Sequence, residues 1–389
     1  MELSSVAVVT CTAAFVFGLL VALIGGLKLK LAERLQIGEG RVGGLLAALN
    51  LALIPMMLVS GLLIDALGVR SVLVVGALVA AVAVFSLSLR RSYSAALACV
   101  LLLGAGSACL STASVVLMAR PETFGFHSNE LAASINLGHV FVALGALMTP
   151  TLTDLLLRTL DFRKAVAVLA LVCLVPAAAA AFLPGARWPE PPAEKADLLA
   201  TLTDVPILMT GVAFLFYAPL EFAVSTWGST YLTVDQGYSE GRAAWLMSFF
   251  WLAYLLSRVL MALLFHARRL EPGWAPWLIL LMALAAAALM GNLAGSGKPH
   301  SATGGLILLG FALGPIFPTL VAVALAAAPM GGHGTAYGTM FAVGSLGSAV
   351  LAPVLGVLAR GKSVLRALRW LAPIALLLVI AAVAMLGLR

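Results

Sequence analysis

The sequence predicts an all-α integral membrane protein with twelve transmembrane helices in two pseudo-symmetric six-helix bundles. Three observations carry that expectation. Apolar residues make up 62 % of the 389 and charged residues only 10 %, against roughly 45–50 % and about 25 % in soluble proteins. The apolar residues fall into twelve continuous stretches, each near the ~20 residues a helix needs to cross the hydrocarbon. The longest polar interruption stands near the middle of the chain, with six stretches on either side. A mean hydropathy of +1.11 agrees. So few charges cannot cover a water-soluble fold of this size, which excludes a soluble enzyme, a nucleic-acid binder and a disordered scaffold.

The stretches run over 6–28, 42–63, 70–89, 94–118, 131–152, 163–184, 205–229, 242–265, 273–292, 303–328, 335–358 and 370–388. Their apolar runs are continuous rather than alternating and too long for strands, so a β-barrel is excluded. The first is also too long for the apolar core of a cleaved signal, and no small-residue cleavage site closes it. The central interruption, from Gly185 to Asp197, is rich in proline and charge, as a linker is. This divides the chain into an N-terminal bundle (1–184), a cytoplasmic linker (185–204) and a C-terminal bundle (205–389). The halves echo each other: Gly138, Phe141 and Pro150 of span five are answered by Gly338, Phe341 and Pro353 of span eleven, at offsets of 200, 200 and 203. Two similar bundles about one central site are what an alternating-access carrier requires.

The net charge of +7 comes without any run of five or six basic residues, so it does not point to nucleic acid. Cys11, Cys99, Cys109 and Cys173 lie in apolar stretches, with no CxxC and no histidine nearby. They read as reduced, buried thiols, and no metal site or cofactor is expected.

Taken in chain order, the polar residues inside or beside the spans are the candidates for function, because an ionisable group in lipid is costly unless it faces a partner or a cavity. Lys28 follows Gly25-Gly26 at the end of span one, as an interfacial anchor or a cavity-lining cation. Asn50 is a polar candidate in span two. Between spans two and three, Asp65 can accept bonds from the start of a neighbouring helix, Gly68 permits a tight turn and Arg70 offers the countercharge. Such a latch holds one conformer and breaks in the other. Asn136 and His139 in span five are three apart and share a helix face, either as a hydrogen-bonding pair that lines a cavity or as packing residues. His139 is also a candidate proton carrier.

Glu221 is the sharpest candidate, roughly 25 Å along span seven from Asp204 at ~1.5 Å per residue. It reads as a substrate ligand or proton carrier, or as a structural hydrogen-bond partner of a helix interrupted at Pro219. Tyr217, Trp227, Trp251 and Tyr254 gather around spans seven and eight. Aromatic faces beside a carboxylate suit the C–H faces and hydroxyls of a sugar, and interface belts are the alternative. Arg258 in span eight reads as a partner for a substrate anion, or as a snorkelling residue that braces a gate. Pro315 and Pro318 interrupt span ten and suggest a hinge.

The segment Gly61-Leu-Leu-Ile-Asp65-Ala-Leu-Gly68-Val-Arg70 resembles the loop signature G-x-x-x-D-x-x-G-x-R of the major facilitator superfamily, with Ser71 where the fuller pattern has a basic residue. A narrower likeness runs through three further segments. Asn136-Leu-Gly138-His139-Val-Phe141 with Leu144 to Pro150, Phe216 to Glu221 with Trp227 and Tyr231-Leu232, and Gly310 to Thr319 are similar to spans five, seven and ten of the fucose-permease-like sugar/proton symporters. The resemblance implies the major facilitator fold, a small-molecule substrate, a coupling proton, and a monomer in the plasma membrane (the inner membrane, if bacterial) with both termini cytoplasmic. Two departures bear on coupling. The subfamily carries acidic residues in spans one and four, whereas here span one has none and Ser111 stands at the span-four position. The second half has Ser257-Arg258 at the start of the repeated loop signature and no aspartate at the proper spacing.

The leading expectation is secondary transport of a small polar solute, a sugar first, with proton coupling. An organic-anion or amphiphile carrier or exporter is the runner-up, drawing on Arg258, Lys28 and the basic excess. A membrane enzyme or non-transporting receptor is the third class: no HExxH, no GxxxxGK[ST] loop and no repeated pore-lining ring is present. The basic residues oppose the implied orientation. Seven fall on the presumed cytoplasmic side and fifteen on the outer side and its flanks, the reverse of the positive-inside rule.

Overall fold

The computed structural model describes residues 5–182, 188, 197–295, 299–329, 331–358, 365 and 369–387. These are almost entirely helical, and no strand occurs among them. The first half contains α1 (Ser5–Gly26), α2 (Lys28–Leu35), α3 (Glu39–Leu67), α4 (Val69–Leu89), α5 (Tyr93–Met118), α6 (Leu131–Thr159), α7 (Phe162–Val172) and α8 (Val175–Phe182). The second contains α9 (Leu198–Thr203), α10 (Val205–Thr230), α11 (Glu240–His266), α12 (Ala275–Gly295), α13 (Pro299–Leu313), α14 (Ile316–Ala327), α15 (His333–Leu358) and α16 (Leu371–Leu386). Ten helical segments among the described residues are long and apolar enough to span a membrane; α7 with α8, and α13 with α14, each count as one. The 26-residue α15 and the shorter apolar α16 stand at the remaining two predicted spans. Of the linker expected at 185–204, only 188 and 197–204 are described, and the latter hold the short helix α9; Arg360, Lys362 and Arg366 of the basic group near the C-terminus lie outside the described residues.

The surface identifies the solvent. On α16, Leu371, Ile374, Ala375 and Leu378 are buried, while Leu376, Ile380 and Val383 are exposed. A helix apolar on every side, with much of that surface uncovered, has hydrocarbon as its neighbour. Helix ends are closed by polar groups: Asp161 and Asp204 accept from the N–H groups of Lys164 and Ile207, both at 3.0 Å. At the end of α4, Arg34 donates to the carbonyls of Ser88 and Arg90 at 2.7 and 3.2 Å, satisfying acceptors the helix leaves open.

Four features depart from the sequence expectation. Span six breaks into α7 and α8 two residues before Pro176, which has no N–H to give the preceding turn. The residues after span one form α2, which buries Leu31 and Leu35 and exposes Lys28 and Lys30. The expected interruption at Pro219 does not occur, since α10 runs unbroken from Val205 to Thr230. One lost hydrogen bond is tolerated inside a long helix held by neighbours. All four cysteines are free thiols, but only Cys99 and Cys173 are buried; Cys11 and Cys109 are half-buried.

The chain forms two compact units. One comprises Met1–Ser128, Gly138–Thr201 and Ala328–Gly338; the other comprises Asn129–Leu137, Leu202–Ala327 and Thr339–Arg389. In the first, α5 packs against α1, α3 and α4, and α4 also meets α7 and α8. In the second, α12 packs against α13, α14 and α16, α10 against α14 and α16, and α11 against α13. Each unit contains a close approach of two helices at a glycine. A Cβ on Gly145 of α6 would stand 2.0 Å from the Phe15 carbonyl oxygen of α1, and one on Gly347 of α15 would stand 1.9 Å from the Leu215 carbonyl oxygen of α10. Both contacts are backbone on backbone, so no side chain can yield. Gly347→Val is therefore expected to cost about 1–3 kcal/mol through overpacking. Its thermal-aggregation midpoint in detergent checks this, and an unchanged midpoint refutes it.

Candidate functional site

In the first unit the loop signature folds as a cap. Gly68 joins α3 to α4 at φ 84°, a left-handed backbone that a residue with a Cβ adopts only under strain. The turn leaves Asp65 at the end of α3 facing the first residues of α15. Its carboxylate accepts from the N–H groups of Gly334 and Thr335 at 3.0 and 2.7 Å, and from the Thr335 hydroxyl at 2.6 Å. A carboxylate at a helix N-terminus answers both the free N–H groups and the positive end of the helix dipole. The expected countercharge is thus corrected. The partner of Asp65 is the α15 N-terminus, while the Arg70 guanidinium lies over the Trp188 ring, 5.5 Å from its centroid.

The other first-unit candidates are distributed over α2, α3, α5 and α6. Lys28 and Asn50 are exposed, on α2 and α3. Ser111, at the position where the resembled subfamily has an acid, is buried and shares a 3.0 Å hydrogen bond with the Tyr337 hydroxyl. His139 is buried on α6.

The second unit gathers most of the sequence candidates. Span ten breaks between α13 and α14 at Gly314-Pro315, and the prolines explain which backbone groups are left over. A helical carbonyl is answered by the N–H four residues later. For Gly314 that residue is Pro318, which has none. The Gly314 carbonyl instead accepts from Arg258 Nε at 2.8 Å. The neighbouring Leu313 carbonyl accepts from the Tyr217 hydroxyl at 3.0 Å. Both donors come from other helices, α11 and α10.

From Arg258 a polar chain continues. Its Nη2 donates to the Tyr254 hydroxyl, one turn earlier on α11, and the guanidinium carbon lies 4.4 Å from the Tyr254 ring centroid. The Tyr254 hydroxyl in turn donates to Glu221 Oε1 at 2.8 Å. Tyr217 and Tyr254 approach to 3.4 Å, but each hydroxyl has one proton, already given to Leu313 and Glu221. Trp251 packs edge-on to Tyr254 with ring centroids 5.3 Å apart. Arg258 and both tyrosines are buried, and Glu221 is half-buried. The snorkelling reading of Arg258 is overturned: its head points to a broken helix and a tyrosine, because a buried guanidinium needs acceptors more than it needs reach.

Asn136, at the start of α6, belongs to the same unit. Its amide donates to the Ala132 carbonyl at 2.9 Å and to the Thr319 hydroxyl, just past the break, at 3.4 Å. The fully buried Oδ1 has no protein donor. Phe214, Phe317 and Phe341 pack as a trio, with centroids 4.8 to 6.4 Å apart. Trp227 is half-buried six residues beyond Glu221 and joins none of these ring contacts.

The structure thus brings together Glu221, Tyr217, Trp251, Tyr254, Arg258, Pro315 and Pro318, with Asn136 reaching Thr319. Trp227, in the same unit, joins none of these contacts, and Lys28, Asn50 and His139 belong to the first unit. The two prolines imply freed backbone carbonyls in span ten; what the sequence does not show is their donors, Arg258 for Gly314 and Tyr217 for Leu313.

The comparisons agree with this architecture. The family model described as Major Facilitator Superfamily matches residues 9–353. No curated protein matches the sequence. The E. coli fucose:proton symporter FucP, in its outward conformation, matches with TM-score 0.76 and 19 % identity over 97 % of this chain and 98 % of that one. The human organic anion transporter MFSD10 (TETRAN) gives 0.73 and 18 %, over 97 % of this chain and 99 % of that one. The proton:xylose symporter XylE, bound to 6-bromo-6-deoxy-D-glucose, gives 0.77 and 15 %, over 98 % and 95 %. At these identities the likeness to solved structures shows the fold.

Proposed function

The chain belongs to the major facilitator superfamily, and on that premise we propose that it moves a small polar solute, a sugar in the first place, by alternating access with proton coupling. One observation carries the solute class: a half-buried carboxylate, Glu221, held by the buried Tyr254, against which the half-buried Trp251 packs edge-on. A carboxylate accepts hydrogen bonds from hydroxyls, and aromatic faces cover the C–H faces of a sugar ring. In this reading Glu221, Tyr217, Tyr254 and Trp251 meet the solute, with Asn136 offering the unmatched Oδ1. Glu221 and His139 are the groups that exchange a proton. Asp65, Gly68 and the α15 N-terminus form the latch, and the Gly314-Pro315 break is a hinge. The two halves about the central linker act as the moving bodies, in the plasma membrane, as a monomer with cytoplasmic termini. The printed descriptions of FucP and XylE name proton-coupled sugar carriers, which supports the reading.

A second reading, an organic-anion carrier, draws support from the description of MFSD10 and from the buried cation Arg258. Against it, Arg258 already spends donors on Gly314 and Tyr254. Counterflow in proteoliposomes separates the two. Unlabelled sugars are expected to displace a preloaded labelled sugar, and organic anions are not. Displacement by anions alone overturns the first reading.

A further inference from the structure

Charge and proton count fix the direction of every bond in the chain from Glu221 to the hinge. An ionised carboxylate only accepts and a guanidinium only donates. The Tyr254 hydroxyl therefore gives its single proton to Glu221 and turns its lone pairs to Arg258. With Nη2 held there, the rigid fork of the guanidinium aims Nε at Gly314. We propose that Tyr254 and Arg258 are positioning residues that transmit the state of Glu221 to the α13–α14 break. While the carboxylate is ionised and held only by Tyr254, Arg258 is oriented and the Gly314 carbonyl is covered. When the carboxylate charge is shared with solute hydroxyls, or is lost, the charge-assisted bond from Tyr254 weakens and its hydroxyl turns more freely. Arg258 then loses one of the acceptors that orient it, and the break loosens.

The consequence is coupling between occupancy and hinge motion, both inside one unit. This rests on the reading that Glu221 meets the solute, but the relay itself can be read with no solute present. Tyr217 supplies an internal contrast: it also bonds the break, at Leu313, yet it lies outside the directed path from Glu221.

Amide hydrogen exchange of residues 310–322 in the full-length reconstituted protein tests the relay. Glu221→Gln removes the charge and keeps the shape. In the otherwise unchanged protein it is expected to speed exchange in this segment about fivefold or more, consistent with loss of a charge-assisted contact. In a Tyr254→Phe background, which keeps the ring and its packing, the same substitution is expected to change exchange less than about twofold, because the link is already cut. In a Tyr217→Phe background the full effect is expected to persist. An equal effect of Glu221→Gln with and without the Tyr254 hydroxyl overturns the relay, as does no effect in either. Loss of the effect in Tyr217→Phe also overturns it, by assigning the route to Tyr217. Should Tyr254→Phe fail to fold, Arg258→Lys replaces it: lysine keeps the charge without the fork, and is expected to uncouple the segment from Glu221→Gln in the same way. A persistent effect there overturns the proposal. Sugar displacement is a separate measurement, so failure of the relay and failure of the transport reading are distinguishable.

Discussion

Glu221→Gln is expected to raise the half-saturating solute concentration by about 30- to 150-fold. The carboxylate offers charge-assisted bonds to two hydroxyls, each contributing about 1.5–3 kcal/mol, whereas a neutral amide oxygen contributes about 0.5–1.5. The loss over two bonds is about 2–3 kcal/mol, and each ~1.4 kcal/mol is tenfold in affinity. Glutamine keeps the shape of the side chain, so packing is little disturbed, but the bond from Tyr254 loses the charge that strengthened it. A proton-carrying role predicts a different pattern, because glutamine mimics the protonated acid: uphill accumulation disappears while counterflow exchange continues. The ionisable groups facing Glu221 in this unit are Tyr254, directly, and Tyr217 and Arg258 behind it. Accumulation and counterflow measured from about pH 5.5 to 8 separate the roles. Unchanged affinity together with unchanged accumulation defeats both.

Asp65→Asn is expected to slow turnover about tenfold and to leave half-saturation within about twofold. The aspartate accepts three hydrogen bonds at the start of α15. Asparagine keeps one accepting oxygen, and its amide group meets donors. It also forfeits the attraction of a full charge for the helix N-terminus, up to about 2 kcal/mol where partly buried. A change of that size shifts a conformer ratio about 30-fold without touching any ligand. Initial rates in vesicles at saturating and subsaturating solute check it, and wild-type turnover refutes it.

The fold was legible because lipid imposes a coarse rule: stretches of about 20 apolar residues become helices whatever their detailed sequence. The turn at Gly68 was legible because it is local, whereas for Asp65 only a helix start could be read as the partner and not α15, about 270 residues away. Arg70 was misread because its neighbour, Trp188, sits in the central polar segment, far along the chain. The helix α2 was missed because four of its eight residues, Lys28, Lys30, Glu33 and Arg34, are charged, which lowers the average hydropathy of a segment that still buries Leu31 and Leu35. Pro219 and Pro315 look alike in sequence, yet one helix continues and the other breaks. Pro315 follows Gly314 and precedes a second proline by three residues, so two successive turns lose donors, whereas Pro219 removes a single one. The partners of Arg258 were illegible: its carbonyl acceptor lies 56 residues away, and no composition rule connects them.

That last pairing constrains how the protein can change over generations. A buried guanidinium and an unanswered carbonyl are each unfavourable in a dry interior, and here each removes the other's penalty. Loss of Arg258 alone strands the Gly314 carbonyl, whereas restoring an N–H at position 318 only adds a second donor, which the two lone pairs of that carbonyl accept. The arginine is therefore expected to be kept wherever the proline stands, and the proline to be the one that changes first.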